Sequence, residues 1–233
     1  QLLVELDSSA SQDAVNQQQI NVEKAQFAVI QAEQQLEIQK SVVDSEIQAA
    51  MNWWAGQNTL GGMTFYYDIH YQVATGYEPI TRPSTNKDLW VYETMGVLGY
   101  SDSLWYTRAY HYMNDIRTLY SADWAVAIYV VDSTNDVDGK FTDGYFGYAI
   151  SMSNGSGLLI VMTYDNDGWG IANMDKVTAH EFGHIFGADD EYCQPGYACC
   201  YGNVYAGYLN ILNTGCEAKC DNYNAAGNPG SNG

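Results

Sequence analysis

Basic residues are scarce in this chain. Nine lysines and arginines stand against 28 aspartates and glutamates in 233 residues, a formal net charge of -19. Such a surface repels phosphate, which argues against a nucleic-acid partner and, for the same reason, against an anionic membrane surface. No run of about 18 consecutive apolar residues occurs, so no bilayer-spanning helix is expected. Gln1 is not followed by a basic n-region, so no signal peptide is read there; a mature secreted protein and a cytosolic fragment would both look like this. Cysteine is absent until Cys193: all five (Cys193, Cys199, Cys200, Cys216, Cys220) lie in the last 41 residues. Clustered cysteines in a Gly-, Asn- and Tyr-rich tail read as a disulfide-stapled region, and hence a secreted, extracellular setting. Reduced thiols or a second metal site are the competing reading. The odd count leaves one cysteine free, paired between chains, or paired with a residue outside this sequence. No Gly-rich phosphate loop and no G-x-S-x-G elbow appears.

What is present falls into two textures. Residues 1–57 hold 12 of the 14 glutamines, no tyrosine, no proline and one glycine, the composition of a long α-helix. Val15, Val22, Val29, Leu36, Val43 and Ala50 recur every seven residues, a weak heptad interrupted by Gln18, Gln39 and Glu46. Ile20, Phe27, Ile30 and Ile47 lie off that seam, so more than one face is apolar. Three readings stand: a helix packed on its own catalytic domain, a stalk joining subunits into a homo-oligomer, or a retained pro-segment.

Residues 58–233 form the second region, aromatic and β-rich, with the cysteine-rich part at 193–220. The pattern predicts strands over 63–73 (MTFYYDIHYQV), 124–132 (WAVAIYVVD), 144–151 and 157–165. It predicts helices over 86–100, capped by Asn86 and stopped by Gly99, over 102–120, and over 173–187, capped by Asn173. Strands interleaved with helices make an α/β (α+β) layered domain, preceded by the long N-terminal helix.

The last of these helices carries the chemistry. It reads T-A-H-E-F-G-H-I-F-G-A-D-D-E-Y over 178–192. On a helix His180 and His184, at i and i+4, share one face, and their ring nitrogens can converge on one zinc ion (Zn2+). Glu181 is the next residue round, within reach of a water on that ion without being a ligand, the place of a general base. Gly187 ends the helix and lets the chain turn back, and three residues later comes Asp190. Asp189 and Glu191 flank it, and Glu217 is a more distant carboxylate candidate. Two further segments, 135–144 (NDVDGKFTDG) and 164–170 (YDNDGWG), contain D-x-D-G and suggest calcium (Ca2+) as a second cation; ordinary Asp/Gly turns are the alternative. His70 and His111 sit in aromatic runs and read as packed side chains.

The spacing H-E-x-x-H-x-x-G-x-x-D resembles the metzincin zinc metallopeptidases, with aspartate in place of the usual third histidine. The resemblance covers roughly 120–192. It implies a mixed, twisted sheet beside the zinc helix, His180, His184 and Asp190 as ligands, and Glu181 as base. It further implies a secreted zinc endopeptidase acting on protein or peptide substrates, bound by edge pairing along the strand 157–165 or its neighbour. The family's methionine turn has no counterpart, since all seven methionines precede His180. Three readings remain: a chain that stops before that turn, a turn without methionine, or a degenerate site. The rival from another class is a structural or assembly subunit of an extracellular oligomer or filament that keeps the peptidase fold.

Overall fold

The computed structural model describes residues 9–57, 62–150, 159–186, 203–206 and 211–214. The expectations for Gly187, Asp189, Asp190, Glu191, Glu217 and the five cysteines lie outside the described residues. The chain divides into two compact units, Gln1–Val42 and Val43–Gly233.

A single helix, α1 (Ser9–Gln57), makes up the described part of the first unit and enters the second. Its glutamine-rich turns are held by side-chain bonds one turn apart, such as Gln17 Nε2 to Asn21 Oδ1 at 3.1 Å and Gln19 Nε2 to Glu23 Oε1 at 2.9 Å. Val15, Val22, Phe27 and Val29 are exposed. The composition changes after residue 57, whereas compact packing begins at Val43: Ala50 and Met51 are 2% and 3% exposed and belong to the core of the second unit.

The second unit is a mixed α/β domain. α2 (Lys87–Val97) and α3 (Trp105–Tyr120) pack on each other and bury Trp90, Val91, Met95, Ala109 and Met113. Gly99, at φ 97°, donates its N–H to the Gly96 carbonyl and turns the chain out of α2, the stop expected of it. Three strands follow: β1 (Ala127–Val131), β2 (Gly147–Ile150) and β3 (Leu159–Thr163). Their order is β1-β3-β2, with β1 parallel and β2 antiparallel to β3. Every residue of β3 is buried, which explains its unbroken apolar run: a strand covered on both faces cannot alternate. Leu159, Ile160, Val161 and Met162 are wholly buried, each stabilising by about 1.5–3 kcal/mol. α4 (Met174–Ile185) then packs across β2 and β3. A separate antiparallel pair, β4 (Asn203–Ala206) and β5 (Ile211–Thr214), lies further along the chain, and short 3-10 turns at Ser84–Asn86 and Ile171–Asn173 lead into α2 and α4. None of the described helices is long and apolar enough to cross a membrane.

Three local expectations are corrected, the first being the cap at Asn86, which stands at the N-cap of α2 but makes no side-chain bond to a helix N–H. Residues 63–73 form no strand; the segment pairs with no strand among the described residues. Side chains anchor it instead: Tyr112 donates to Asp68 at 2.8 Å, Tyr71 to Asp44, and Tyr66 stacks on Tyr120 at 5.1 Å. Asn173 does stand at the N-cap of α4, but its amide donates to the Trp169 carbonyl at 2.7 Å and caps no helix N–H.

Candidate metal centre

α4 is buried through residues 177–185 except at two positions, His180 and His184. The helical period explains the pair: residues four apart share one face, and on it both side chains are half-buried. Their Nε2 atoms face each other at 3.2 Å, with ring planes 85° apart. Two imidazole nitrogens at that separation share either a proton or a cation. Nitrogens each about 2.0–2.1 Å from one ion and 3.2 Å apart subtend about 100° there, close to the tetrahedral angle zinc adopts. The separation of the two donors is therefore compatible with a shared zinc ion. No group of three His, Cys, Asp or Glu side chains comes together among the described residues; Asp190, the expected third donor, lies outside them.

Glu181 lies between the histidines in sequence and is 7% exposed. It leans on β2: a β-carbon built on Gly147 would stand 3.1 Å from Glu181 Oε1 and 3.2 Å from Val177 Cγ1. β2 and β1 are the edges of the described sheet, and β3 (within 157–165) is central. Of the two strands considered for substrate pairing, it is the neighbour β2 that lies at an edge and beside Glu181.

β2 is itself held in place. Asp143, four residues before it, accepts from the Ser84 N–H at 2.9 Å and hydroxyl at 2.8 Å, and Tyr148 donates to the Ser84 carbonyl at 3.3 Å. Burial works against ionisation of Asp143, yet the Ser84 donors hold its carboxyl below the ordinary range. Burial, aided by the charge of Asp143, pushes the Tyr148 phenol up.

Trp54, near the end of α1, donates its indole N–H to the Ala179 carbonyl at 3.0 Å. Its ring lies 5.8 Å from Phe182 and 6.0 Å from Phe186, and Phe65 meets Phe182 from another side at 5.8 Å. Neither Trp54 nor Gly147 was singled out by sequence reasoning. The one available signal was the Trp53–Trp54 pair in an otherwise glutamine-rich helix.

The acidic loops are engaged locally. Asp136 Oδ1 accepts from the N–H groups of Asp138 and Gly139, and Asp138 Oδ1 accepts from that of Lys140. Lys140 pairs with Asp167 at 2.6 Å and so ties the two D-x-D-G segments together. His70 and His111 pair with Asp68 and Asp102 at 3.0 and 2.8 Å.

No protein-family model matches the chain, and neither a curated protein nor a solved structure does.

Proposed function

We propose that the chain is a zinc-dependent endopeptidase of metzincin type. The observation that carries this reading is the 3.2 Å approach of the Nε2 atoms of two half-buried histidines on one face of a helix whose residues 177–185 are otherwise buried. His180 and His184 would hold the ion, with Asp190 as third ligand. When bound, zinc supplies Lewis acidity toward a carbonyl and acidifies water. The chain's own residues do the rest. One Glu181 carboxylate oxygen accepts the proton of the attacking water and returns it to the departing amine nitrogen. The outer edge of β2, which pairs with no strand among the described residues, would offer backbone N–H and C=O groups to an extended peptide and bring a scissile bond alongside Glu181. Burial of Glu181 under β2 holds its carboxylate in one orientation, which is what a base acting at one atom needs.

A secreted, disulfide-bearing protein is part of this proposal and rests on the cysteine cluster at 193–220. A second reading is favoured by a separate observation. Val15, Val22 and Val29, one heptad apart, are all exposed on α1, as in a helix that joins subunits of a homo-oligomer. In that reading the peptidase-like unit serves assembly. No role for calcium is proposed.

Metal analysis, then chelation and zinc add-back during cleavage of a generic protein substrate, tests the first reading. We expect one zinc per chain and turnover that vanishes on chelation and returns with zinc. Glu181→Gln should retain zinc and lose about 10²–10⁴-fold in rate. Folded protein that binds no zinc would sink the reading. Zinc with no cleavage, in an oligomer that dissociates when residues 1–42 are removed, would favour the second.

A further inference from the structure

We infer that Trp54 is a positioning residue for the metal helix, and that the end of α1 is thereby part of the metal centre's scaffold. The inference rests on the zinc reading above. Its observations are independent of the two histidines. The Trp54 indole N–H bonds at 3.0 Å to the carbonyl of Ala179, the residue immediately before His180. The same ring packs on Phe182 and Phe186, one on each side of His184 in sequence.

A directed bond to a mid-helix carbonyl does something that apolar packing does not. Phenyl and aliphatic contacts tolerate sliding and rotation of a helix; a hydrogen bond to one carbonyl selects one height and one rotation. The stakes are set by leverage. A side-chain tip about 5–6 Å from a helix axis moves about 1 Å for each 10° of rotation. Metal–ligand distances tolerate only about ±0.2 Å. A third ligand supplied from beyond the helix would meet the two histidines only if the helix is held against such rotation. Groups that hydrogen-bond the ligand side chains themselves are worth about 10–100-fold in metal affinity; Trp54 acts one step further back, through the backbone of the residue before His180.

The test uses the full chain as wild type, Trp54→Phe, Trp54→Ala and, as a control for general destabilisation, Met95→Ala. Met95 is buried in the same core but sits on α2. Zinc affinity is measured by competition with a chromophoric chelator, and the visible spectrum is recorded after cobalt substitution. We expect Trp54→Phe, which keeps a ring and removes the donor, to lose about threefold in zinc affinity, and Trp54→Ala about tenfold or more. Both should perturb the cobalt bands. Met95→Ala should lower Tm and leave affinity and spectrum at wild-type values. Should Trp54→Ala fail to fold, Trp54→Phe against Met95→Ala decides alone. Wild-type affinity and spectrum in Trp54→Phe would overturn the inference, as would equal losses in Met95→Ala. If the wild type itself takes up neither zinc nor cobalt, the metal reading falls and this inference falls with it.

Discussion

Glu181 and Gly147 face each other across the seam between α4 and β2: the space a Gly147 side chain would fill is taken by the Glu181 carboxylate, 3.1 Å from the β-carbon position, and by Val177 at 3.2 Å. The glycine is thus explained by its neighbour, since its backbone is ordinary strand. Gly147→Ala should push the carboxylate aside by a few tenths of an ångström while leaving the histidines alone. We expect kcat to fall about tenfold, given that about 1 Å of misplacement can cost 10²-fold, with zinc affinity unchanged. Steady-state kinetics beside a zinc titration checks this; equal loss of zinc and activity would place the effect on the helix as a whole.

Asp190 is expected to be the third ligand. Asp190→Ala should cost far more zinc affinity than Asp189→Ala or Glu191→Ala, and Asp190→His should retain metal by making a three-histidine set. Side-by-side titrations decide it. Loss of zinc in Glu191→Ala with retention in Asp190→Ala would shift the register by one.

Removal of residues 1–42 should leave a folded, zinc-binding domain, because the second compact unit begins at Val43. A chain beginning at Thr59 should not fold. It lacks buried Ala50 and Met51 and the Trp54 bond to Ala179, and deleting a buried side chain of Met51's size alone costs about 2–5 kcal/mol. Thermal melts of the two truncated chains distinguish these outcomes, and a stable domain from Thr59 onward would show α1 to be dispensable.

Asp143 should contribute to the pH dependence of stability. Its carboxyl is held below the ordinary range when folded, so the unfolded chain binds more protons. The contribution is therefore present above the unfolded value of about 3.9 and is lost as pH falls through the folded value. Asp143→Asn should remove that component, flattening the acid limb of a denaturant-midpoint profile. An unchanged acid limb would show that the Ser84 contacts do not couple to folding.

Much of this was legible in the sequence, for reasons of period. The run 157–165 was legible as a strand from its unbroken apolar stretch, which covering on both faces explains, but its central place in the sheet came only from the strand order. The histidines announce a shared face because four residues is close to one helical turn. Periodicity cannot report what lies on the other side of a contact. Residues 63–73 alternate like a strand, yet a ladder needs a partner that no local pattern supplies; in the tertiary structure tyrosine hydroxyls and an aspartate hold the segment instead. Asn173 sits where a cap belongs, but its Oδ1, the acceptor a cap would use, takes the Lys176 ammonium while its amide donates to the Trp169 carbonyl. By itself, the sequence determined that His180 and His184 share one helix face with Glu181 next to them, and that the run 157–165 holds a strand. Only the tertiary structure decided that β2 is an edge of the described sheet beside Glu181, that Gly147 leaves room for that carboxylate, and that Trp54 bonds to α4 from 125 residues away. Each of these is a contact between elements distant in sequence, made by packing that no single segment encodes.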